Sequence, residues 1–303
     1  MIVRPLAPDG IPLFAGLAEE ADRIGALLRK LWDEGRCRPE WCFLAEEEGR
    51  AVARVCFWHL PSIPGEFHAS WLLLPWTGEY LGVGRRLWEE GLGAVRGCGA
   101  TAVEAAIFSD TPFPGERARF YESAGLSRIQ EKWDHIWTDR GEPLPVGDRL
   151  VFRSLREVGE GAFVSAVRRV TEGTLDRGDQ HTALRLDPER AARRYVAILK
   201  DLDFEPGRWL LAHRRDGALA GLVVAQRFDE QVGGIGYIGV VPSQRGNGYV
   251  DDLLAKGTRL LREAGVRSVI ASIDARNAPM EAAAARAGYR RRVRVEIWRV
   301  ELD

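Results

Sequence analysis

A shift of 166 residues lays the second half of this chain over the first. Leu87 then falls on Leu253, Gly91 on Gly257, Val95 on Leu261, Gly99 on Gly265, Val103 on Val269 and Ile107 on Ile273. Slightly different shifts bring Trp41 to Gly49 onto Trp209 to Gly217 and Gly125-Leu126 onto Gly288-Tyr289, as loop insertions and deletions require. A duplicated chain must build one supersecondary pattern twice, which restricts its fold more than any single motif does. Its 303 residues suit two domains of ordinary size. The polar stretch Thr138–Val146, with two prolines, reads as the linker and sets domains over 1–140 and 147–303.

Each half repeats one order of elements. An opening strand (Val3–Leu6; Leu150–Arg153) precedes helical stretches. One of these, Arg190–Leu199, is announced by Asp187 at the N-cap and Pro188 at the first helical position. A hairpin follows: Trp209–His213, a turn through Asp216-Gly217 and Leu219–Arg227, matched by Trp41–Ala45, Gly49 and Val52–Trp58. Then come a strand (Ile235–Val241; Trp71–Leu74) and a glycine-rich turn into a helix. Its apolar residues are Leu253, Leu254, Leu260 and Leu261, or Leu87, Trp88, Leu92 and Val95. The strand Val269–Ile273 or Val103–Ile107, a short helix and a final antiparallel strand pair end each half.

Composition excludes several classes of function. A formal charge of −1 gives no electrostatic footprint for nucleic acid or an anionic membrane. No apolar run approaches the roughly 20 residues that span a bilayer, and the N-terminal residues carry no signal-peptide pattern, so the expected location is cytoplasmic. Cys37 and Cys42 have no second pair at metal-ligand spacing, and with Cys56 and Cys98 they read as buried or idle thiols, with no metal. Oligomeric state is not legible.

The segment Ile238 to Leu254 (IGVVPSQRGNGYVDDLL) carries the chemistry. A strand ends in Val-Pro, a tight turn with Arg245, Gly246, Asn247 and Gly248 follows, and a helix begins at Tyr249-Val250. Helix N-termini leave backbone N–H groups unpaired and bind phosphate. Glycines let those groups approach a pyrophosphate with no Cβ in the way. A dinucleotide fold would place such a turn after the first strand of a βαβ unit, and a P-loop would end in Gly-Lys-Ser/Thr; neither pattern is present.

The segment resembles the acyl-CoA motif of the GNAT superfamily (Gcn5-related N-acetyltransferases) at Val240, Pro242, Arg245, Gly246 and Gly248, with Val250 replacing the last small residue. The likeness continues through Asp274 to Met280 and Arg286 to Tyr289, and covers roughly Arg208–Val300. It implies two tandem α/β domains, each a mixed, mainly antiparallel twisted sheet with helices on both faces. It also implies transfer of an acyl group, acetyl by default, from CoA to an amine of a small molecule or peptide. Pantetheine would pair with main-chain groups of Ile238, Gly239 and Val240, and Asn277 would contact its arm. Where many relatives place a tyrosine acid this half has Ala284, and no Glu stands on the strand Ile235–Val241. Candidate catalytic groups are therefore Glu230, in the turn before that strand, and Tyr237. Asp179 and His181 lie in the segment that would line the acceptor. A catalytically silent acyl-CoA-binding regulator is the rival reading.

In the first half the corresponding turn places Glu79 and Tyr80 at the Arg245 and Gly246 positions, where a carboxylate repels a pyrophosphate and a phenol crowds it. Tyr121 stands at the acid position and reads as a packing residue. This half is read as a degraded copy.

Overall fold

The computed structural model describes residues 1–17, 19–77, 80–141 and 147–302. The first half runs β1 (Ile2–Pro5), α1 (Ile11–Ala15), α2 (Ala21–Asp33), β2 (Cys42–Glu47), β3 (Arg50–His59), β4 (Glu66–Leu73), α3 (Tyr80–Arg96), β5 (Ala102–Phe108), α4 (Pro114–Ser123) and β6 (Ser127–Thr138). The second runs β7 (Leu150–Ser154), α5 (Leu155–Val158), α6 (Glu160–Thr171), α7 (Arg177–Ala183), α8 (Pro188–Leu202), β8 (Trp209–Arg214), β9 (Leu219–Arg227), β10 (Val232–Val240), α9 (Tyr249–Glu263), β11 (Ser268–Asp274), α10 (Ala278–Arg286) and β12 (Arg290–Glu301). No helix among the described residues is long and apolar enough to cross a membrane.

The chain forms two compact units, Met1–Ile129 with Glu296–Asp303, and Gln130–Val295. In the first unit the strand order is β1-β2-β3-β4-β5, with the end of β12 beside β5. In the second it is β6-β11-β10-β9-β8-β7, with β6 contributing from Gln130 onward. Pairs β4–β5 and β10–β11 are parallel, while β1–β2, β2–β3, β3–β4, β7–β8, β8–β9, β9–β10 and β6–β11 are antiparallel. Both are mixed α/β sheets of the expected kind.

The ends of the halves differ from the sequence expectation. Each half closes with one long strand instead of a strand pair, and that strand passes into the other unit. Ser268–Asp274 of β11 pairs residue for residue with Thr138–Lys132 of β6, and Leu302 N donates to the Thr101 carbonyl at 2.8 Å. Ladder hydrogen bonds are made by main chain alike in every sequence, so strand character in Ser127–Thr138 and Arg290–Glu301 does not say which sheet receives them. Residues 142–146, most of the expected linker, lie outside the described residues.

Alternation along the strands distributes the core of the second unit. Trp209, Leu211, Leu222 and Val224 face α5, α6 and α8, packing with Phe163, Val167, Val196 and Leu199. Leu210, Ala212 and Val223 face α9 through Leu253, and Ala225 and Ile273 join Leu254, Leu261 and Ala284 of α10. The helix α8 starts where expected, with Asp187 Oδ1 accepting from Arg190 N at 3.0 Å. β10 begins at Val232 because Val232-Gly233-Gly234 pairs with Ser268–Ile270; two glycines made that run read as a turn.

The terminal strand is fastened in the first unit by Arg299. Its Nη1 lies 2.8 Å from Glu66 Oε2 and 2.7 Å from Glu104 Oε1, and its Nε lies 2.7 Å from Glu301 Oε1. The side chain is only 4% exposed, so removing it strands carboxylates that have given up part of their water. Arg299→Ala should cost about 3 kcal/mol of stability, measured as a lower urea midpoint, with Arg299→Lys recovering part of the loss.

Candidate functional site

β10 and β11 pair only over Val232–Gly234 and Ser268–Ile270. Beyond that, β11 stays with β6, and β10 stays with β9 as far as Val240↔Gly221, its register shifting between Ile235 and Tyr237. The bulge bends β10 away from its parallel neighbour. Among the described residues, Ile235–Val240 thus presents one main-chain edge with no strand beside it, in the middle of a sheet, and every one of these residues is only half-buried. Such an edge accepts extended chain as a ladder partner.

The edge leads directly into the glycine-rich turn. A 3-10 turn at Pro242–Gln244 is followed by Gly246 (φ +81°) and Gly248 (φ +72°), conformations that favour glycine, and then by α9. A Cβ at Gly246 would meet no protein atom within 4 Å, so this backbone borders open space. Among the described residues, the N–H groups of Gly246, Asn247, Gly248, Tyr249 and Val250 have no protein acceptor, and they stand at the positive end of a 15-residue helix.

Two arginines hold the turn. Arg149 donates from Nε to Asp252 Oδ2 (2.9 Å), from Nη1 to Asn247 O (2.9 Å) and from Nη2 to Gly248 O (3.0 Å), and lies over the Tyr249 ring. By taking the carbonyls it leaves the N–H groups facing out. Nothing in the local sequence marks Arg149 for this. Arg245, expected to face a pyrophosphate, turns back instead. Its Nε donates to Val240 O, Nη1 to Gly173 O, and Nη2 to Val170 O and Glu172 O, at 2.7–3.2 Å. A cation on the last carbonyls of α6 complements that helix end and fixes the loop that leads into α7.

That loop delivers Asp179 to β10. Asp176 caps α7, its Oδ1 accepting from Asp179 N at 3.1 Å, while Gln130 of β6 ties Asp176 to Asp274, with Nε2 distances of 3.0 and 2.9 Å. Asp179 Oδ2 accepts from Tyr237 Oη at 3.2 Å and Thr174 Oγ1 at 3.3 Å. Burial, and then the neighbouring charge of Asp176, push the Asp179 carboxyl up to about 7. Tyr237 packs on Tyr195 with ring centroids 4.4 Å apart and the planes tilted by 44°. Burial and the Asp179 charge hold its phenol well above the ordinary range, so it stays protonated. Desolvation beside a charge partner, at the start of an open strand edge, is the environment of a proton-transfer group.

Sequence reading therefore placed two members of this network, Tyr237 and Asp179, and the structure brings them together. It does not bring Glu230. That residue is exposed in the turn before β10, five residues ahead of the bulge. His181 is half-buried on α7, and among the described residues no hydrogen bond joins it to the Asp179–Tyr237 pair. Asn277 caps α10 through Oδ1, accepting from Met280 N at 3.2 Å; its Nδ2 donors have no protein acceptor among the described residues. Ala284 is fully buried, and Tyr289 turns its hydroxyl to Thr258 at 2.6 Å, so neither supplies an acid. Gln130 was missed because nothing in the sequence around it reports on partners 46 and 144 residues away, and Thr174, five residues before Asp179, carries no signal of its own.

The first unit repeats the geometry and fills it. β4 pairs with β5 over Glu66–Ala69 and then diverges, with Trp71 held at φ +53°. Arg117 of α4 donates to Leu72 O at 2.9 Å, taking a main-chain acceptor of β4, and its guanidinium lies 4.6 Å from the Trp76 ring. Trp76 stacks in turn on Phe113 and packs at a tilt against Tyr80. Tyr121 is buried among Trp88, Phe120 and Trp298, its phenol pushed up to about 12 by burial, as a packing residue. Glu79 lies outside the described residues.

Comparison with known proteins agrees with this architecture. The acetyltransferase (GNAT) family model matches residues 177–289. A mycothiol acetyltransferase of Beutenbergia cavernae is 27% identical over 222 residues, covering 69% of this chain and 68% of that protein. Among solved structures, a GCN5-related N-acetyltransferase from Sphaerobacter thermophilus superposes with a TM-score of 0.71 at 22% identity, covering 99% of this chain and 95% of that one. A tandem GNAT protein from the clavulanic acid biosynthesis pathway superposes with a TM-score of 0.58 at 19% identity over 99% and 98% of the two chains.

The raised Asp179 pKa has a stability consequence. Between about pH 4 and pH 7 the folded chain keeps a proton that the unfolded chain gives up, so stability is lost as pH rises through this window. Asp179→Asn removes the penalty. Its Tm should exceed that of wild type at pH 8, with the difference vanishing near pH 4; equal Tm values at pH 8 would mean that Asp179 is not desolvated.

Proposed function

We propose that this chain, a tandem member of the GNAT superfamily, transfers an acetyl group from acetyl-CoA to an amine at its second unit. The observation that carries this is the continuity of the open β10 edge with the α9 N-terminus. An amide-bearing arm laid along Ile238, Gly239 and Val240 as an added strand ends where the N–H groups of Gly246, Asn247, Gly248, Tyr249 and Val250 can receive a pyrophosphate. Acetyl-CoA has that sequence of groups: thioester, two amides, then phosphates. Asn277 Nδ2 offers a further donor to the arm, and Arg245 serves as the clamp on the loop after α6.

The thioester then lies near the bulge, beside Tyr237. The acceptor amine arrives as an ammonium and is drawn by Asp176 and Asp179. Asp179 removes its proton, for which a carboxyl near neutrality is well matched. The amine nitrogen attacks the thioester carbon, the C–S bond breaks, and the electron pair leaves on sulfur. Tyr237 gives its proton to the thiolate and is refilled from Asp179 across their 3.2 Å hydrogen bond, so the first proton taken from the ammonium ends on the CoA thiol; the second, lost from nitrogen as the amide forms, passes to the regenerated Asp179 carboxylate and on to solvent. A small-molecule acceptor fits this reading, since a relative of similar length is named for mycothiol. In the first unit, Arg117 and Trp76 occupy the equivalent place, and that unit takes no acyl-CoA.

A ligand that binds only the folded state stabilises by roughly 2.7 kcal/mol at a hundredfold excess over Kd. Acetyl-CoA should therefore raise the Tm of the full chain. Gly246→Asp, which puts a carboxylate where the pyrophosphate would lie, should abolish the shift, whereas Tyr80→Asp should leave it intact. No shift in wild type at millimolar ligand would sink the donor assignment. Asp179→Asn should lower kcat by about 10²–10⁴-fold and erase the rise in rate centred near pH 7, with KM for acetyl-CoA little changed. A surviving rise near pH 7 would move the base elsewhere.

A further inference from the structure

Three thiols of the first unit converge on one point. Cys37 follows α2, Cys42 opens β2, and Cys56 faces Cys42 across the β2–β3 ladder. Their Sγ atoms are 3.5 Å apart for Cys37–Cys42, 3.5 Å for Cys37–Cys56 and 3.6 Å for Cys42–Cys56, and all three side chains are buried. We propose that this trio binds one thiophilic d10 cation, Zn²⁺ or Cu⁺, as a trithiolate site separate from the donor site.

The near-equilateral spacing is the first reason. Sulfurs sharing one ion at a bond length near 2.3 Å sit about 3.8–4.0 Å apart, so the triangle needs to open by only a few tenths of an ångström. A disulfide would need one side to close to about 2.0 Å and would leave the third sulfur, equally near, without a role. The donor set is soft and holds no imidazole or carboxylate, the chemistry that selects Cu⁺ and Zn²⁺ over harder ions. The Arg38 carbonyl lies 3.5 Å from the Cys37 sulfur and 3.6 Å from that of Cys42.

Charge and hydrogen bonding supply the second reason. Binding replaces three S–H protons with one ion, leaving one negative charge with Zn²⁺ or two with Cu⁺, inside a core. Arg54 stands two residues before Cys56 on β3 and therefore on the same face. It is 3% exposed, yet among the described residues its guanidinium bonds only to carbonyls, those of Phe14, Ala15 and Trp71, and to no carboxylate. A buried cation without an anionic partner is costly, and a trithiolate complex provides the anion. The indole N–H of Trp32 is also buried with no acceptor and lies beside Cys37 and Cys42, placed to donate to a charged sulfur.

The full chain, purified under reducing conditions without chelator, should carry one equivalent of zinc or copper by elemental mass spectrometry. Stripped, reduced protein titrated anaerobically with Co²⁺ as the zinc stand-in, or with Cu⁺, should develop sulfur-to-metal charge-transfer absorption that saturates at one ion per chain. Retention of one ion against a chelator decides between Zn²⁺ and Cu⁺. The signal should be lost in Cys42→Ser and Cys56→Ser and kept in Cys98→Ser. Folded wild type that binds neither ion overturns the site whatever the variants do, as does binding that survives Cys56→Ser. A disulfide between two of the three, found by peptide mapping of folded protein, would overturn it in favour of a redox pair.

Discussion

Main-chain hydrogen bonding governs this molecule, because a strand inside a sheet cannot leave its N–H and C=O groups without partners. One residue of bulge in β10 breaks that rule locally, turning Ile235–Val240 from the interior of a ladder into an open edge. The other parts of the proposed site are arranged around this gap. The α9 N-terminus stands at one end, the Asp179–Tyr237 pair at the other, and Arg149 and Arg245 spend their donors on carbonyls that would otherwise leave the turn and the α6 end loose.

The two units show how a duplicated frame can diverge without losing its fold. Both keep the parallel pair that separates after a few residues and a helix that starts beside the gap. In one the gap stays open. In the other an arginine, a tryptophan and a tyrosine occupy it. Filling the gap satisfies the carbonyl of Leu72 and adds aromatic packing.

Much of the fold was legible because its signals are local. The repeat, the cap at Asp187, the turn at Asp216-Gly217 and the motif from Val240 to Gly248 can each be read within a few residues. The candidate site was half legible. Gly246 and Gly248 follow from positive φ, and Tyr237 and Asp179 from position. That the two meet in one hydrogen bond depends on Asp176, Gln130 and Arg245 bending the loop after α6, partners up to 144 residues apart in one network. The thiol triangle was illegible for the same reason: Cys56 joins Cys37 and Cys42 only through the β2–β3 ladder, so the spacing of the first two says nothing about the third. Arg245 misled because a cation next to two glycines suits a phosphate and a helix C-terminus equally well.

The passage of β6 and β12 into opposite units has a consequence for how the chain is made. The first unit lacks its last strand until Glu296 and beyond have been synthesised, although the rest of it is complete at Ile129. At ordinary elongation rates that interval is on the order of ten seconds or more. Throughout it β5 has no neighbour on the side that β12 will take, a template for pairing with another nascent chain. The Arg299 cluster, with Glu66 and Glu104 already in place, gives the correct strand a charge match that a stray strand lacks. Birth order thus makes the C-terminus the latch of the N-terminal unit.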